Sequence, residues 1–315
     1  MIASEAVPKP VQTTSPSFDP RLSSLRGLGS LWVAASHVVQ LGVLPLAAAA
    51  AILIDGYLGV ALFFALSVYL LLGSLQQDAS LTRYFRRRVL RIWPLYIGTV
   101  LAVWLLWNHS TLKLVANLTF TAIWIPGADY GYTFWSLQVE ELAYLFFPLI
   151  SVLSDRGKRR VAVGLIAFSG AWAILLPTAN PISLPFPWLC AYGWGILARV
   201  GPIPNVSRAW PALFVPAIVP QIPWELSLFA LCPVFASLIA HPPRALEAIV
   251  LVFAGEVSYS LYLVHKELLI EYGWVGLLAA FPLAALMELG MRGRQVLRRL
   301  GGARATTPST AGGTA

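Results

Sequence analysis

Charge is the scarcest commodity in this sequence. Of its 315 residues only 11% are Asp, Glu, Lys or Arg, while 58% are hydrophobic. A domain that faces water carries roughly 25% charged residues, so the chain lacks the means to cover a soluble surface. Cysteine is nearly absent as well. Cys190 and Cys232 each sit inside an apolar run, which excludes a disulfide framework and reads as two small core residues. The four histidines show no His-Glu-x-x-His spacing and have no cysteine cluster beside them, so no metal site is expected. There is no Gly-x-Ser-x-Gly elbow, no phosphate-binding P-loop, no short-period repeat and no strand-like alternation of useful length.

What is present is a series of apolar runs. They lie at 28–54, 57–75, 92–107, 134–153, 161–176, 184–200, 209–220, 224–240, 248–270 and 273–289. Each approaches the roughly 20 residues needed to cross the hydrocarbon of a bilayer, the shortest being 209–220, which ends among prolines and is a candidate for a broken or re-entrant segment. The expected fold is all-α: a polytopic membrane bundle of about ten transmembrane helices, with both termini cytoplasmic. Residues 1–20 read as a disordered tail, 21–291 as the membrane domain, and 292–315 as a basic, then disordered, tail. The alanines at 47–51 resemble a signal-peptide cleavage region. The long polar leader, together with His37 and Gln40, instead assigns this run to a helix of the mature protein. Residues 112–124 are expected along the far interface.

Basic residues test the assignment independently. Arg21, Arg26, Arg83, Arg86, Arg87, Arg88, Arg91, Arg156, Lys158, Arg159, Arg160, Arg199, Arg208, Arg244 and the 292–304 group all fall on one side. Only Lys113 and Lys266 fall on the other, as the positive-inside rule requires. The net charge of +8 is therefore assigned to inner loops facing anionic lipid, and nucleic acid is not an expected partner. The multi-pass placement implies the inner (plasma) membrane, with membrane lipid as a partner; association into a homodimer is left open.

Ionisable groups inside a bilayer cost several kcal/mol, so each one calls for a partner or a task. His37 lies about 15 Å along its helix, near mid-membrane, and Arg26 sits three turns earlier towards the same face. Two readings stand for His37: a general base, which a neutral imidazole suits, and a packing histidine bonded between helices. Arg88 and Arg91 share a helical face at the start of an apolar run, where paired guanidinium groups would clamp a phosphate. Glu140 is placed facing inward and Glu141 outward. An inward carboxylate either holds a cation in place or binds sugar hydroxyls. Ser258, Tyr259 and Tyr262 make a polar stripe that serves equally as interhelical glue or as a substrate-channel lining. His265 is expected near the far end of its helix, satisfied by water. His109 and His241 read as surface histidines.

At these residues the sequence resembles the acyltransferase-3 family of integral-membrane O-acyltransferases. Arg21-Leu22-Ser23-Ser24-Leu25-Arg26-Gly27-Leu28 followed by His37 resembles its first-helix signature, and 56–67 its second-helix motif. Arg88-Val89-Leu90-Arg91-Ile92-Trp93-Pro94 matches the start of its third helix. Trp135-Ser136-Leu137 with Val139, Glu140, Tyr144 and Pro148 matches the fourth, and Ser258-Tyr259-Ser260-Leu261-Tyr262-Leu263-Val264-His265 is similar to a late motif. The chain departs from the family at Ala61, where an acidic residue is usual, at Val68 in place of glycine, and at Ala143 in place of an aromatic. The resemblance implies acyl transfer, most simply of acetyl, from cytosolic acyl-CoA to a hydroxyl of a carbohydrate or glycosylated acceptor. Arg26, Arg88 and Arg91 would hold the CoA phosphates and His37 would act as base, or briefly carry the acyl group. Glu140 would orient His37 or the acceptor, and Ser258 and Tyr259 would bind acceptor or carbonyl oxygen. No permanently bound cofactor is implied. A transporter or flippase of lipid-linked saccharide, with the same helices but no CoA site, is the rival from another class.

Overall fold

The computed structural model describes residues 18–42, 56–131, 133–176, 185–206 and 224–306. Nine α-helices occur among them: α1 Pro20–Gln40, α2 Tyr57–Gln77, α3 Leu81–Leu106, α4 Thr111–Leu118, α5 Phe134–Ser151, α6 Asp155–Leu175, α7 Leu189–Val200, α8 Trp224–Ala240 and α9 Ile249–Thr306. Short 3₁₀ turns at Ala122–Trp124, Phe186–Trp188 and Arg244–Glu247 connect them, and no strand occurs among the described residues. Of these helices, α2, α3 and α9 are long and apolar enough to cross a membrane, and α8 is a shorter apolar helix. The run expected at 209–220 and the part of the first run beyond 42 lie outside the described residues.

Helix α2 is apolar on every side, and a helix of that kind belongs in the interior. Leu58, Ala61, Phe64, Ala65, Val68 and Leu72 are all fully buried, and α1, α5, α7 and α8 surround it. The outer helices turn apolar side chains outward instead: Leu105 and Leu106 on α3, Leu145, Phe146 and Leu149 on α5, Ile174 on α6, and Trp274, Leu278 and Leu286 on α9. That much continuous exposed hydrocarbon suits lipid, not water.

Helix α1 begins earlier and ends earlier than its hydropathy suggests. Asp19 caps the first turn by accepting from the Arg21 N–H, and Pro20 occupies the first helical position, where its missing N–H costs nothing. The helix closes at Leu41, with Gly42 at φ +66°, a left-handed conformation that glycine adopts without strain. In α9 the backbone leaves helical geometry at Gly273 (φ 59°, ψ −144°) and again at Arg292. Between those breaks the chain doubles back. Ser260 Oγ donates to Glu288 at 3.1 Å, and Glu288 also binds Arg292. The two runs expected at 248–270 and 273–289 are thus the two limbs of a hairpin. Beyond it, Arg299 reaches buried Glu256 at 3.0 Å and stacks on Phe18.

The most extensive packing joins α1 to α9, and two glycines allow it. A Cβ on Gly27 would lie 2.6 Å from the Gly255 nitrogen, and a Cβ on Gly255 only 1.9 Å from the Ser23 carbonyl oxygen. Backbones meet here with nothing between them, as small-residue crossings in membranes permit. Beside the crossing, the Ser23 hydroxyl donates to Glu256 at 2.9 Å and that of Ser24 to the Leu246 carbonyl.

At the opposite end, 108–131 covers the bundle. Helix α4 exposes Leu112 and Val115, which suits the interfacial position expected for this stretch. Buried Asn117 ties the cover down, donating to the Ala128 carbonyl at 3.2 Å and accepting from Gln138 of α5 at 3.0 Å.

Candidate active site

Five helices, α1, α2, α3, α5 and α9, enclose a cavity of about 130 Å³. Six of the seven residues singled out from the sequence lie on its wall: Arg26, Arg88, Arg91, Glu140, Ser258 and Tyr259. They come from four different helices, so the shared wall is a property of the fold and not of sequence spacing.

The three guanidinium groups are the cavity's dominant chemistry. None of them has a carboxylate within ion-pair distance among the described residues, whereas several neighbouring arginines do: Arg21 to Asp19, Arg83 and Arg87 to Asp78, Arg292 to Glu288, and Arg299 to Glu256. Arg26 and Arg88 both repel Arg91, and the Arg88 Nε is enclosed without a hydrogen-bond partner. Three unpaired cations and one carboxylate around one small cavity leave an excess of about two positive charges there. Such a space favours an anion able to accept several hydrogen bonds at once.

Glu140 is held in place from its own side. Its Oε1 accepts from Tyr144 at 2.5 Å and from Ser67, and Tyr84 in turn donates to the Tyr144 carbonyl at 3.1 Å. No hydrogen bond joins Glu140 to His37, so of the two roles drawn for this carboxylate from sequence, geometry favours the one towards a bound molecule. Glu141, expected to face outward, is half-buried with its Oε1 enclosed. Ser258 donates its hydroxyl to the Gly255 carbonyl at 2.7 Å, and Tyr259 donates to the Ile92 carbonyl at 2.8 Å. Both hydroxyls therefore face the cavity with lone pairs only.

His37 stands apart from this wall. Its Nδ1 lies 2.9 Å from Nε2 of His265, and the two rings stack at 5.1 Å between centroids. His265 is fully buried. It is not a water-satisfied residue at a helix end: its Nδ1 lies 2.9 Å from the Leu261 carbonyl and its other nitrogen meets His37. Tyr262 bridges the two regions: it lines the cavity, its ring lies 5.8 Å from that of His265, and its hydroxyl is 2.7 Å from Ser136 Oγ. Tyr262 is on the cavity lining, one of the two roles open for its stripe, whereas His265 is the functional candidate that sequence reasoning left without a role. The signal for it was its place in the late motif.

The acyltransferase domain profile of the acyltransferase-3 family matches residues 19–290. The chain belongs to the acyltransferase-3 family. ORF330 of Acidianus two-tailed virus, which carries an acetyltransferase name, is 36% identical over 320 aligned residues, spanning 91% of this chain and 94% of its own. Acyltransferase MdmB of Streptomyces mycarofaciens is 30% identical over 148 residues, 41% of this chain and 38% of its own. An uncharacterized protein of Haemophilus influenzae is 31% identical over 143 residues, 38% of this chain and 58% of its own. No solved structure matches the chain. Family and relatives together support an acyltransferase activity for this acyltransferase-3 protein, and its apolar helices give it membrane character.

Proposed function

We propose that this acyltransferase moves an acyl group, in the simplest case acetyl, from cytosolic acyl-CoA to a hydroxyl of a carbohydrate or glycosylated acceptor. The cavity carrying three unpaired arginines is the observation that supports it. Phosphates of the donor would meet Arg26, Arg88 and Arg91 at the cytoplasmic side, in a bundle of about ten spans of the inner membrane with both termini inside. The pantetheine arm would carry the thioester past Tyr262 to His37. There the His37 imidazole removes the acceptor proton, the hydroxyl oxygen attacks the acyl carbon, and the C–S bond breaks. The departing CoA thiolate recovers the proton. Ser258, Tyr259 and the free oxygen of Glu140 accept hydrogen bonds from the acceptor's other hydroxyls.

Two measurements test this. Protein in proteoliposomes should release thiol from acetyl-CoA with an added saccharide, or water, as the hydroxyl acceptor, and Arg88→Ala should raise the KM for acetyl-CoA by about tenfold, as expected when a charge-assisted contact worth roughly 1.5 kcal/mol is lost. His37→Ala should lower kcat by about 10²–10⁴-fold, the usual contribution of a general base. An unchanged KM removes the phosphate clamp. Wild-type protein stabilised against heat by a lipid-linked saccharide but not by millimolar CoA is a carrier of that saccharide, not a transferase.

A further inference from the structure

The hydrogen bonds of the two stacked imidazoles fix which ring nitrogen carries each proton. A main-chain carbonyl can only accept, and the Leu261 oxygen lies 2.9 Å from Nδ1 of His265. That nitrogen therefore bears hydrogen. In neutral imidazole only one nitrogen does, so Nε2 of His265 holds a lone pair, and it is this atom that lies 2.9 Å from Nδ1 of His37. The His37 Nδ1 must then be the donor, which leaves the His37 Nε2 bare. The alternative, an added proton on the pair, has nothing to neutralise it. Among the described residues no carboxylate lies within ion-pair distance of either ring, and the charged neighbour that both rings feel is Lys266, of the same sign.

We infer that His265 is a positioning residue which, through its bond to the Leu261 carbonyl, holds His37 in the one tautomer that presents a lone pair at Nε2. This rests on the reading of His37 as general base and deepens it by naming the basic atom. In hydrolases a carboxylate orients the catalytic histidine; here a second imidazole takes that place. During transfer the acceptor O–H bond breaks and an N–H bond forms at Nε2 of His37. His265 Nε2 shares the resulting positive charge through the Nδ1–H bond, and the proton returns from Nε2 to the CoA thiolate. His265 cannot pass a proton further, since its other nitrogen faces only a carbonyl.

The chain has four histidines, so a His109→Asn/His241→Asn background leaves the pair alone for ¹⁵N solid-state spectra in proteoliposomes. At neutral pH, His37 should show a protonated Nδ1 and a bare Nε2. His265→Leu should spread His37 over both tautomers and lower kcat for thiol release from acetyl-CoA by roughly 10- to 100-fold, within what a general base supplies, at unchanged KM. His265→Gln should restore both, because its amide can accept from His37 and donate to the Leu261 carbonyl. A wild-type His37 protonated at Nε2 overturns the inference whether or not the leucine variant folds. So does a leucine variant with an unaltered tautomer. If the spectra come out as stated while His37→Ala keeps full activity, the positioning stands and the general-base reading fails.

Discussion

Replacing Gly255 with alanine tests whether the α1–α9 crossing sets the site. The new methyl would sit 1.9 Å from the Ser23 carbonyl oxygen, 2.4 Å from its carbon and 2.6 Å from its Oγ. Against the roughly 3.3 Å of a close C–H···O contact, the shortfall is about 1.4 Å. The two nearest atoms belong to backbone, so no rotamer change relieves it and the helices must part. Residue 265 lies about 15 Å further along α9 than residue 255. The His37–His265 bond of 2.9 Å is lost once it stretches by about 0.6 Å, less than half the separation that the methyl imposes. Overpacking of this kind costs about 1–3 kcal/mol, and the upper end is expected where backbone meets backbone. Gly164 on α6 is the control, since a Cβ there meets nothing within 4 Å and alanine improves helix propensity. Thermal unfolding in detergent and thiol release from acetyl-CoA should both fall sharply for Gly255→Ala and hold for Gly164→Ala. A Gly255→Ala protein as stable and active as the parent would refute the reasoning, because the helices would then have slack that the geometry denies.

Glu267 is 1% exposed, both of its carboxylate oxygens lack a hydrogen-bond partner among the described residues, and it lines an otherwise mostly apolar cavity of about 380 Å³. Glu267→Met should therefore stabilise the protein by about 1–3 kcal/mol, the cost of an unsatisfied buried polar group; a lower unfolding midpoint would mean that the carboxylate has a partner that methionine cannot replace. In the turn between α2 and α3, Asp78 accepts from Arg83 at 2.8 Å and from the Ser80 N–H at 3.1 Å, and these bonds hold its carboxyl below the ordinary 3.8. A carboxyl lowered on folding stabilises above its unfolded value and stops doing so as pH falls through the folded one. The advantage of the parent over Asp78→Asn in thermal midpoint should be constant above about pH 5 and shrink below the ordinary aspartate range. A gap that persists unchanged under acid would show that the ionic contacts contribute nothing.

Much of the bundle was legible because membrane helices announce themselves one at a time. The apolar girdle of α2 and the capped, charge-tipped start of α3 depend on residues close in sequence; α2 lies where hydropathy placed it, whereas α3 begins at Leu81, about three turns ahead of the apolar run at 92–107. The misplaced boundaries came from weighing hydropathy above local stereochemistry. Asp19 and Pro20 already spelled a helix start, and Gly42 a stop, ahead of Pro45. The two runs of α9 were visible, but their closure depends on partners that sequence does not rank. Glu288 and Arg292 are one turn apart and readable as a pair, whereas Glu256 and Arg299 are 43 residues apart.

The same limit governs the site. Arg26, Arg88, Arg91 and Glu140 could be singled out because a charge in an apolar run is costly wherever it points. Their convergence on one cavity could not be read from spacing, and neither could the pairing of His37 with His265 across 228 residues. Which faces of α1 and α9 meet is decided at Gly27 and Gly255, since only there can the backbones close. That contact brings Ser23 to Glu256 beside the crossing and His37 to His265 some 15 Å further along. Arg26 stands next to Gly27 on one helix, and Ser258 and Tyr259 follow Gly255 on the other, so the crossing also places the α1 and α9 part of the cavity wall. Two residues without side chains thus set how the candidate side chains of α1 and α9 meet, which is why a search for chemistry along the sequence finds the parts of the site before it finds the join.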